Sequence, residues 1–160
     1  MSKLIAKDKA ISNVQIENIC REHGIQLNGV VMRDELHELQ IGNYIINLES
    51  SSEGSGSHWQ TIVIRKDMSV FFDSFGAPPS QDIHDLIRQY FPRVYFNNFI
   101  VQDLNSSACG WYCIALLLYL KIHQDEHDLL TTKVNNFVNI FVDDTKKNFG
   151  ILKRFLAQNS

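Results

Sequence analysis

The sequence has 160 residues, 44% of them hydrophobic, which suffices for one domain with its own buried core, predicted to span 1–160. Its 15 lysines and arginines stand against 18 aspartates and glutamates. The net charge of −3 gives no global support for binding nucleic acid, although a local basic patch stays open. No apolar run approaches the ~20 residues of a membrane span, and the first residues lack the apolar core of a secretory signal. Composition therefore predicts an intracellular protein without a membrane partner.

Three cysteines, Cys20, Cys109 and Cys113, are an odd number in a compartment expected to be reducing, which argues against a disulfide framework. Cys109 and Cys113 are spaced by one helical turn, but zinc needs a full ligand set and the sequence has no second cysteine pair. The sequence therefore predicts no metal and no cofactor. The remaining interpretations of Cys109 are a catalytic nucleophile or a small buried side chain.

The first third of the chain predicts a helix, a strand and a loop. Residues 12–23 begin with Ser12 or Asn13 as a helix cap. Their apolar positions follow a helical period: Val14, Ile16, Ile19 and Cys20. Residues 42–48, "GNYIINL", are typical of a strand, and the polar, glycine-containing residues 49–57 predict a flexible loop.

The middle of the chain predicts a β-hairpin, a helix and a further strand. Residues 59–65 and 69–73 are rich in strand formers and are separated by a short turn. Residues 80–91 predict an amphipathic helix with Ser80 as its cap. The apolar face of that helix consists of Ile83, Leu86, Ile87 and Tyr90. Residues 94–101 predict a strand parallel to 69–73, because a helix connects the two.

A strongly apolar helix follows, and the fold class depends on it. It begins near Cys109 with "CGWYCIALLLYLK" and is apolar on nearly all sides, so we expect it to be central and buried. Two more helices are predicted, over 131–144 and 148–158. The first has four apolar residues at helical spacing: Val134, Phe137, Val138 and Phe141. The order of elements predicts an α+β fold, a small mixed sheet backed by helices around one central helix.

Four residues with polar or nucleophilic side chains fall where these predicted elements begin or end. His58 directly precedes one hairpin strand and Asp73 ends the other, so antiparallel pairing brings them within a residue or two of each other. Gln102 follows the parallel strand and is expected at the same edge of the sheet as Asp73. The next residues carry the chain to Cys109, at the N-terminus of the buried helix.

This set of residues has the chemistry of nucleophilic catalysis by a thiolate. Backbone N–H groups at a helix N-terminus favour a thiolate at Cys109, and an imidazolium at His58 would pair with it and later protonate the leaving group. Asp73 would orient His58. Gln102 and the backbone N–H of Cys109 would donate hydrogen bonds to the oxyanion of a tetrahedral intermediate. Taken singly, each residue also has an ordinary interpretation: a packed histidine, a turn aspartate, a strand-end glutamine and a buried thiol.

The order and setting of these residues resemble the adenain-like cysteine proteases, which include the adenovirus maturation protease and relatives among the ubiquitin-like-protein (SUMO) proteases. The similar stretches are "GSHW", "FFDSFG" and "QDLNSSACGWYC", within residues 40–120, and they are most similar to adenain-like proteases of virophages and large DNA viruses. Both groups use His, an acidic residue and Cys in that order, with a glutamine shortly before the cysteine. Asp73 stands where adenain has Glu, but the SUMO proteases have Asp, so a triad remains consistent with the pattern.

The resemblance implies a papain-like, adenain-type fold with His58, Asp73, Gln102 and Cys109 as catalytic residues. It implies a cysteine endopeptidase that cleaves viral structural precursors such as capsid proteins during particle maturation. The cleavage sites would contain glycine, and the place of action would be the virion or the host cytoplasm. A protease acting on ubiquitin-like proteins is the alternative within the same chemistry, and a non-catalytic binding module of the same fold is a third. Adenain's DNA and peptide cofactors are not supported, because the sequence shows no obvious basic surface.

Substrate contacts are predicted for four residues beside the catalytic set: Trp59, Ser107, Ala108 and Gly110. Small side chains before the nucleophile let a substrate backbone approach closely, and Gly110 relieves crowding beside it. Two alternatives stay open. Ser106 or Ser107 can cap the helix, and Trp59 can pack in the core instead of forming a wall of the substrate groove.

Overall fold

A computed structural model describes residues 2–52 and 57–160. This part of the chain contains a five-stranded mixed sheet. The strands are β1 (Gly29–Met32), β2 (Gly42–Asn47), β3 (Trp59–Ile64), β4 (Ser69–Phe72) and β5 (Tyr95–Phe96). They lie side by side in chain order, with β2–β3 and β3–β4 antiparallel and β1–β2 and β4–β5 parallel. The predicted hairpin and the parallel orientation of the following strand are confirmed. The loop predicted at 49–57 lies partly outside the described residues.

Five α-helices occur in the described part of the chain: α1 (Asn13–Glu22), α2 (Gln81–Arg88), α3 (Cys109–Ile122), α4 (Leu130–Val138) and α5 (Asn148–Asn159). Short 3₁₀ turns at Arg33–Glu35 and Thr145–Lys147 join some of these elements. None of the described helices combines the length and the apolar content needed to cross a bilayer.

The sheet is covered by helices on both faces. On one face α3 packs against β3 and against α1, α4 and α5. On the other face α2 contributes Ile83, Leu86 and Ile87 to a second apolar cluster. Successive side chains of β3 point to opposite faces of the sheet, so Ile62 packs in the cluster on the α2 side and Val63 in the cluster on the α3 side. Almost every residue of α3 is buried, so the central position predicted for the apolar helix is confirmed.

The strand β5 is shorter than the sequence predicts over 94–101. Only Tyr95–Phe96 pairs with β4. The pairing stops at Asn97, because its side chain takes the place of the next backbone partner. Its Oδ1 accepts a hydrogen bond from the N–H of Asp73, and its Nδ2 donates one to the carbonyl oxygen of Asp73. Gln102 is therefore not a strand-end residue, and it reaches the sheet edge through an irregular segment.

The first predicted helix is confirmed by α1, together with its cap. The Ser12 hydroxyl oxygen accepts a hydrogen bond from the backbone N–H of Gln15, and the Gln15 side chain accepts one from the backbone N–H of Ser12. Val14, which the sequence predicts on the apolar face, is exposed. Residues two apart in a helix point in nearly opposite directions, so Val14 cannot share the buried face of Ile16 and Cys20.

The helix α2 ends earlier than predicted, at Arg88. The chain then forms a turn before Pro92. A proline disfavours helical geometry at the residue that precedes it, here Phe91. Tyr90 lies in this turn and is exposed, not part of the apolar face. Ser80 occupies the N-cap position as predicted, but its hydroxyl donates to the Asp82 carboxylate and does not cap the helix.

Two further elements differ from the sequence prediction. The sequence pattern does not indicate β1, which is stabilised by parallel pairing with β2. The helix predicted over 131–144 stops at Val138, and the N–H groups of Ile140 and Phe141 bind carbonyl oxygens three residues back in a turn. Beyond this turn the Asn148 side chain binds both the N–H and the carbonyl of Val142. The predicted apolar residues of that segment are nevertheless all buried: Val134, Phe137, Val138 and Phe141. The last predicted helix is confirmed by α5.

Candidate active site

His58 and Asp73 meet at one end of the β3–β4 hairpin. His58 directly precedes β3 and Asp73 directly follows β4, and the pairing of Thr61 with Phe72 aligns these two strand ends. Nε2 of His58 lies 2.9 Å from Oδ2 of Asp73, and both residues are buried. The contact that the hairpin predicts is therefore present.

The Asp73 carboxylate is held by two further groups that the sequence analysis does not single out. Gln60 donates a hydrogen bond from Nε2 to Oδ2 over 2.6 Å, and the backbone N–H of Phe75 donates to Oδ1 over 2.7 Å. Gln60 lies two residues after His58, and alternate residues of a strand face the same side, which is the one signal that could have identified it. Together with His58, these donors hold the carboxylate in one orientation.

The turn after Asp73 depends on Gly76. The N–H of Gly76 donates a hydrogen bond to the carbonyl oxygen of Asp73 over 2.8 Å. Gly76 has a φ of +74°, which favours glycine, and a Cβ there would lie 2.9 Å from the carbonyl oxygen of Phe99. The "DSFG" motif is therefore a turn, as its composition indicates, and this turn directs the Asp73 side chain toward His58.

Cys109 is the first residue of α3, as the sequence predicts. Its Sγ accepts a hydrogen bond from the backbone N–H of Trp59 over 3.5 Å, and its side chain is within hydrogen-bonding reach of His58. Cys109 is 4% exposed and His58 is 8% exposed, so the pair lies in a recess and not on an open surface. His58 therefore contacts both Asp73 and Cys109.

The charges of the site follow from these contacts. Burial alone would lower the pKa of His58, but hydrogen bonds with Asp73 and Cys109 and the electrostatic interactions with these two side chains raise it to about 9. Burial also opposes ionisation of Asp73, yet its contacts with His58 and its hydrogen bond from Gln60 lower the pKa of the carboxyl. At neutral pH His58 is therefore an imidazolium and Asp73 a carboxylate. An imidazolium is the partner that a nucleophilic thiolate requires.

Phe75 restrains the imidazole directly. Its ring stacks on the ring of His58 with a centroid distance of 4.9 Å and an interplanar angle of 28°. The same residue binds the Asp73 carboxylate through its backbone N–H. One residue of the turn therefore limits the motion of both members of the pair.

Gln102 lies beside the residue that follows Asp73. Its Oε1 is 2.5 Å from the hydroxyl oxygen of Ser74, and its Nε2 donates a hydrogen bond to the carbonyl oxygen of Ser106 over 2.9 Å. The backbone N–H groups of Val101 and Gln102 both donate to the carbonyl oxygen of Ser74. Gln102 thus reaches the same edge of the sheet as Asp73, although not as the end of a strand.

Asp8 holds the segment that leads into α3. Its Oδ1 accepts hydrogen bonds from the hydroxyl of Ser106 and the backbone N–H of Ser107, both over 2.8 Å. The hydroxyl oxygen of Ser106 in turn accepts a hydrogen bond from the N–H of Ala108, over 3.2 Å. Ala108 takes the N-cap position of α3 without a side-chain hydrogen bond, so neither serine is a regular helix cap. Asp8 is far from Cys109 in the chain, and the sequence carries no signal of this contact.

The residues predicted to contact substrate lie in different surroundings. Ser107 is exposed, whereas Trp59, Ala108 and Gly110 are buried. The indole N–H of Trp59 donates to the carbonyl oxygen of Ile11 over 2.8 Å, and Trp59 belongs to the main apolar cluster. A Cβ on Gly110 would lie 2.6 Å from the Ile11 side chain and 3.3 Å from that of Trp59, so close packing requires glycine there. Substrate contact by these residues stays a prediction.

The other two cysteines differ from Cys109 in their surroundings. Burial raises the pKa of Cys20 to about 12 and that of Cys113 well above its ordinary value. Both therefore remain protonated thiols at physiological pH. Among residues 2–52 and 57–160, no group of three or more His, Cys, Asp or Glu side chains is arranged to hold a metal ion.

The chain has the α+β fold of the papain-like, adenain-type cysteine proteases, as the sequence predicts. No protein-family model matches its sequence, and neither does any curated protein. Among solved structures, the ASFV pS273R protease is 16% identical, with a TM-score of 0.53 over 97% of this chain and 70% of that one. The central domain of the uncharacterized Lpg1148 protein from Legionella pneumophila is 10% identical, with a TM-score of 0.51 over 94% of this chain and 95% of that one. At these identities the similarity concerns the fold alone.

Proposed function

We propose that the chain is a cysteine endopeptidase, with His58, Asp73 and Cys109 as its catalytic triad and Gln102 as an oxyanion donor. The observation that supports this most directly is the chain of contacts from Asp73 through His58 to Cys109, on a fold shared with a protease. A charged pair is expensive to bury, so a buried imidazolium beside a cysteine favours a chemical role over packing.

The first half of the proposed reaction acylates Cys109. Its thiolate attacks the carbonyl carbon of the scissile peptide bond, which forms a C–S bond and moves the carbonyl electron pair onto oxygen. The backbone N–H of Cys109 and an N–H of Gln102 donate hydrogen bonds to this oxyanion. When the oxyanion collapses, the C–N bond breaks and His58 gives its proton to the departing amine. A thioester and a neutral imidazole remain.

The second half of the proposed reaction hydrolyses the thioester. Neutral His58 takes a proton from a water molecule while the water oxygen attacks the thioester carbonyl carbon. The C–S bond then breaks, which releases the carboxylic acid and restores the thiolate of Cys109 beside a protonated His58. Asp73 stays ionised throughout and keeps the imidazole in the orientation that both steps need.

The substrate that we propose is a viral structural precursor, such as a capsid protein, cleaved at a glycine-containing site during particle maturation. Two observations support a viral setting: the resemblance of the motifs around His58, Asp73 and Cys109 to adenain-like proteases, and the fold similarity to the ASFV pS273R protease. The motif resemblance favours a virophage such as mavirus as the source. The proposed place of action is the virion or the host cytoplasm.

Purified wild type, Cys109→Ala and Cys113→Ala test this function. Each is incubated with the structural proteins encoded by the same genome, and new N-termini are mapped by mass spectrometry. Wild type and Cys113→Ala are expected to produce the same new termini, and Cys109→Ala none. Cys113 is a matched control, because it is buried one turn further along α3. Cleavage by Cys109→Ala within about tenfold of the wild-type rate would contradict the proposal.

The alternative substrate class is tested in parallel. Conjugates of ubiquitin-like proteins are added to the same three preparations. Cleavage of these conjugates, without cleavage of any structural precursor, would contradict the proposed substrate and retain the proposed chemistry.

A further inference from the structure

Ser74 links the acidic side of the site to Gln102. It follows Asp73 directly, and its hydroxyl oxygen lies 2.5 Å from Oε1 of Gln102. The two side chains are almost completely buried, since Ser74 and Gln102 are each 1% exposed. Donors and acceptors must match in such a contact, because solvent cannot supply a missing partner.

The direction of this hydrogen bond follows from the other partner of Gln102. The carbonyl oxygen of Ser106 can only accept, and it lies 2.9 Å from Nε2 of Gln102. The amide nitrogen of Gln102 therefore faces Ser106 and its amide oxygen faces Ser74, so the Ser74 hydroxyl is the donor. The opposite orientation of the amide would bring two acceptors together at Ser106.

This orientation matters for an oxyanion donor. A carboxamide has two N–H groups, and the Ser106 carbonyl takes one of them, so the proposed oxyanion contact would use the other. If the amide turned by half a rotation, its oxygen would face the developing negative charge and repel it. We propose that Ser74 is a positioning residue that keeps the amide nitrogen of Gln102 on the side of the oxyanion. This inference rests on the proposed peptidase function.

Removal of the Ser74 hydroxyl is expected to leave the fold intact. The carbonyl oxygen of Ser74 accepts hydrogen bonds from the N–H groups of Val101, over 2.9 Å, and Gln102, over 3.0 Å, and alanine keeps both. What alanine removes is the donor to Oε1 of Gln102, which leaves a buried acceptor unpaired and leaves the carbonyl oxygen of Ser106 as the remaining group that orients the amide. Ser69, at the other end of β4, offers a matched control. It is equally buried, and its hydroxyl has no hydrogen-bond partner within the described part of the chain.

Steady-state kinetics on a fluorogenic peptide, selected by its cleavage by the wild type, test the inference. Ser74→Ala is expected to lower kcat about tenfold with little change in KM, because an oxyanion donor acts in the transition state. Ser69→Ala is expected to keep the wild-type kcat. Addition of Ser74→Ala to Gln102→Ala is expected to lower kcat no further, because the amide that Ser74 orients is already absent.

The side-chain amide of Gln102 in ¹⁵N NMR spectra gives a readout that does not depend on turnover. Its two protons are expected to give slowly exchanging signals in the wild type and in Ser69→Ala, and to shift and exchange faster in Ser74→Ala. Three results would each overturn the role of Ser74: unchanged Gln102 signals, a wild-type kcat in Ser74→Ala, or additive losses in the double variant. None of them would contradict the proposed peptidase function. A wild type without hydrolysis, or a Cys109→Ala variant that still hydrolyses, would overturn the peptidase and the role of Ser74 with it.

Discussion

Nε2 of His58 lies 2.9 Å from Oδ2 of Asp73, with both residues buried at the end of one hairpin. Burial would favour the neutral imidazole, and the contacts with Asp73 and Cys109 reverse this preference by raising the pKa of His58 to about 9. Gln60 donates a further hydrogen bond to the same carboxylate oxygen. The hairpin therefore favours the protonated form of His58 beside Cys109.

Asp73→Asn is expected to move the alkaline limb of the kcat/KM profile to lower pH. In the wild type, His58 is protonated up to its pKa of about 9, so activity falls as the pH rises through that value. Asparagine removes the negative charge that raises this pKa. In Asp73→Asn, His58 should therefore lose its proton at a lower pH than in the wild type, and activity should fall at that lower pH. At neutral pH the loss in kcat should be smaller than in Cys109→Ala or His58→Ala. An alkaline limb that does not move would contradict the proposed pairing.

Cys109 is expected to react with iodoacetamide faster than Cys20 or Cys113 at about pH 6, where ordinary thiols are protonated. Burial raises the pKa of Cys20 to about 12 and that of Cys113 well above its ordinary value, so neither supplies a thiolate. Cys109 is the cysteine within reach of the imidazolium of His58. Mass-spectrometric mapping after brief labelling measures the order of reaction, and His58→Ala should abolish the selectivity. Labelling that is uniform, or that begins at Cys20, would indicate that the free enzyme holds no thiolate–imidazolium pair.

Asp8→Ala is expected to loosen the segment that carries the oxyanion donors. The Asp8 carboxylate accepts hydrogen bonds from the hydroxyl of Ser106 and the N–H of Ser107, and the backbone carbonyl oxygen of Ser106 accepts one from Nε2 of Gln102. Amide hydrogen exchange at Ser107 should accelerate in Asp8→Ala, and kcat should fall with KM nearly unchanged. Asp8→Asn keeps an accepting oxygen and is the control, with a smaller effect on both quantities. Equal exchange rates in wild type and Asp8→Ala would contradict this account.

Local sequence patterns suffice for the parts of the site that depend on neighbouring elements. Two strands joined by a short turn bring His58 and Asp73 together whatever the rest of the fold does, because antiparallel pairing aligns the outer ends of a hairpin. An apolar segment such as α3 similarly predicts its own burial, and with it the position of Cys109 at the beginning of a central helix.

The supporting residues depend on contacts between distant segments, and no local pattern reports these. Nothing in the local sequence distinguishes Gln60 from an ordinary strand residue. It donates to the Asp73 carboxylate because the pairing of β3 with β4 places it beside that side chain. Asn97 lies inside a predicted strand and ends it, because its side chain replaces a backbone partner of Asp73. Asp8 is distant in sequence from the serines that it binds.

Glycine is expected immediately before the cleaved bond. Cys109 and His58 are both deeply recessed, and the residues on either side of the nucleophile, Ala108 and Gly110, are small and buried. If Trp59, whose backbone N–H binds Sγ of Cys109, forms a wall of the substrate groove as the sequence predicts, a large Cβ substituent beside Sγ would clash with it. The resemblance to adenain-like and SUMO proteases, which cut after or beside glycine, implies the same preference.

A peptide library with a varied residue before the cut measures this preference. Wild type should require glycine, or at most alanine, at that position. Trp59→Ala would remove a buried ring at a cost of about 3–5 kcal/mol in stability, so Trp59→Phe is the better variant. Its smaller ring should widen the space and raise the rate for alanine relative to glycine, whereas Trp111→Phe, a buried tryptophan on α3, should leave that ratio unchanged. Efficient cleavage after bulky or basic residues would rule out the narrow recess as the source of specificity, even if Cys109 proved to be the nucleophile.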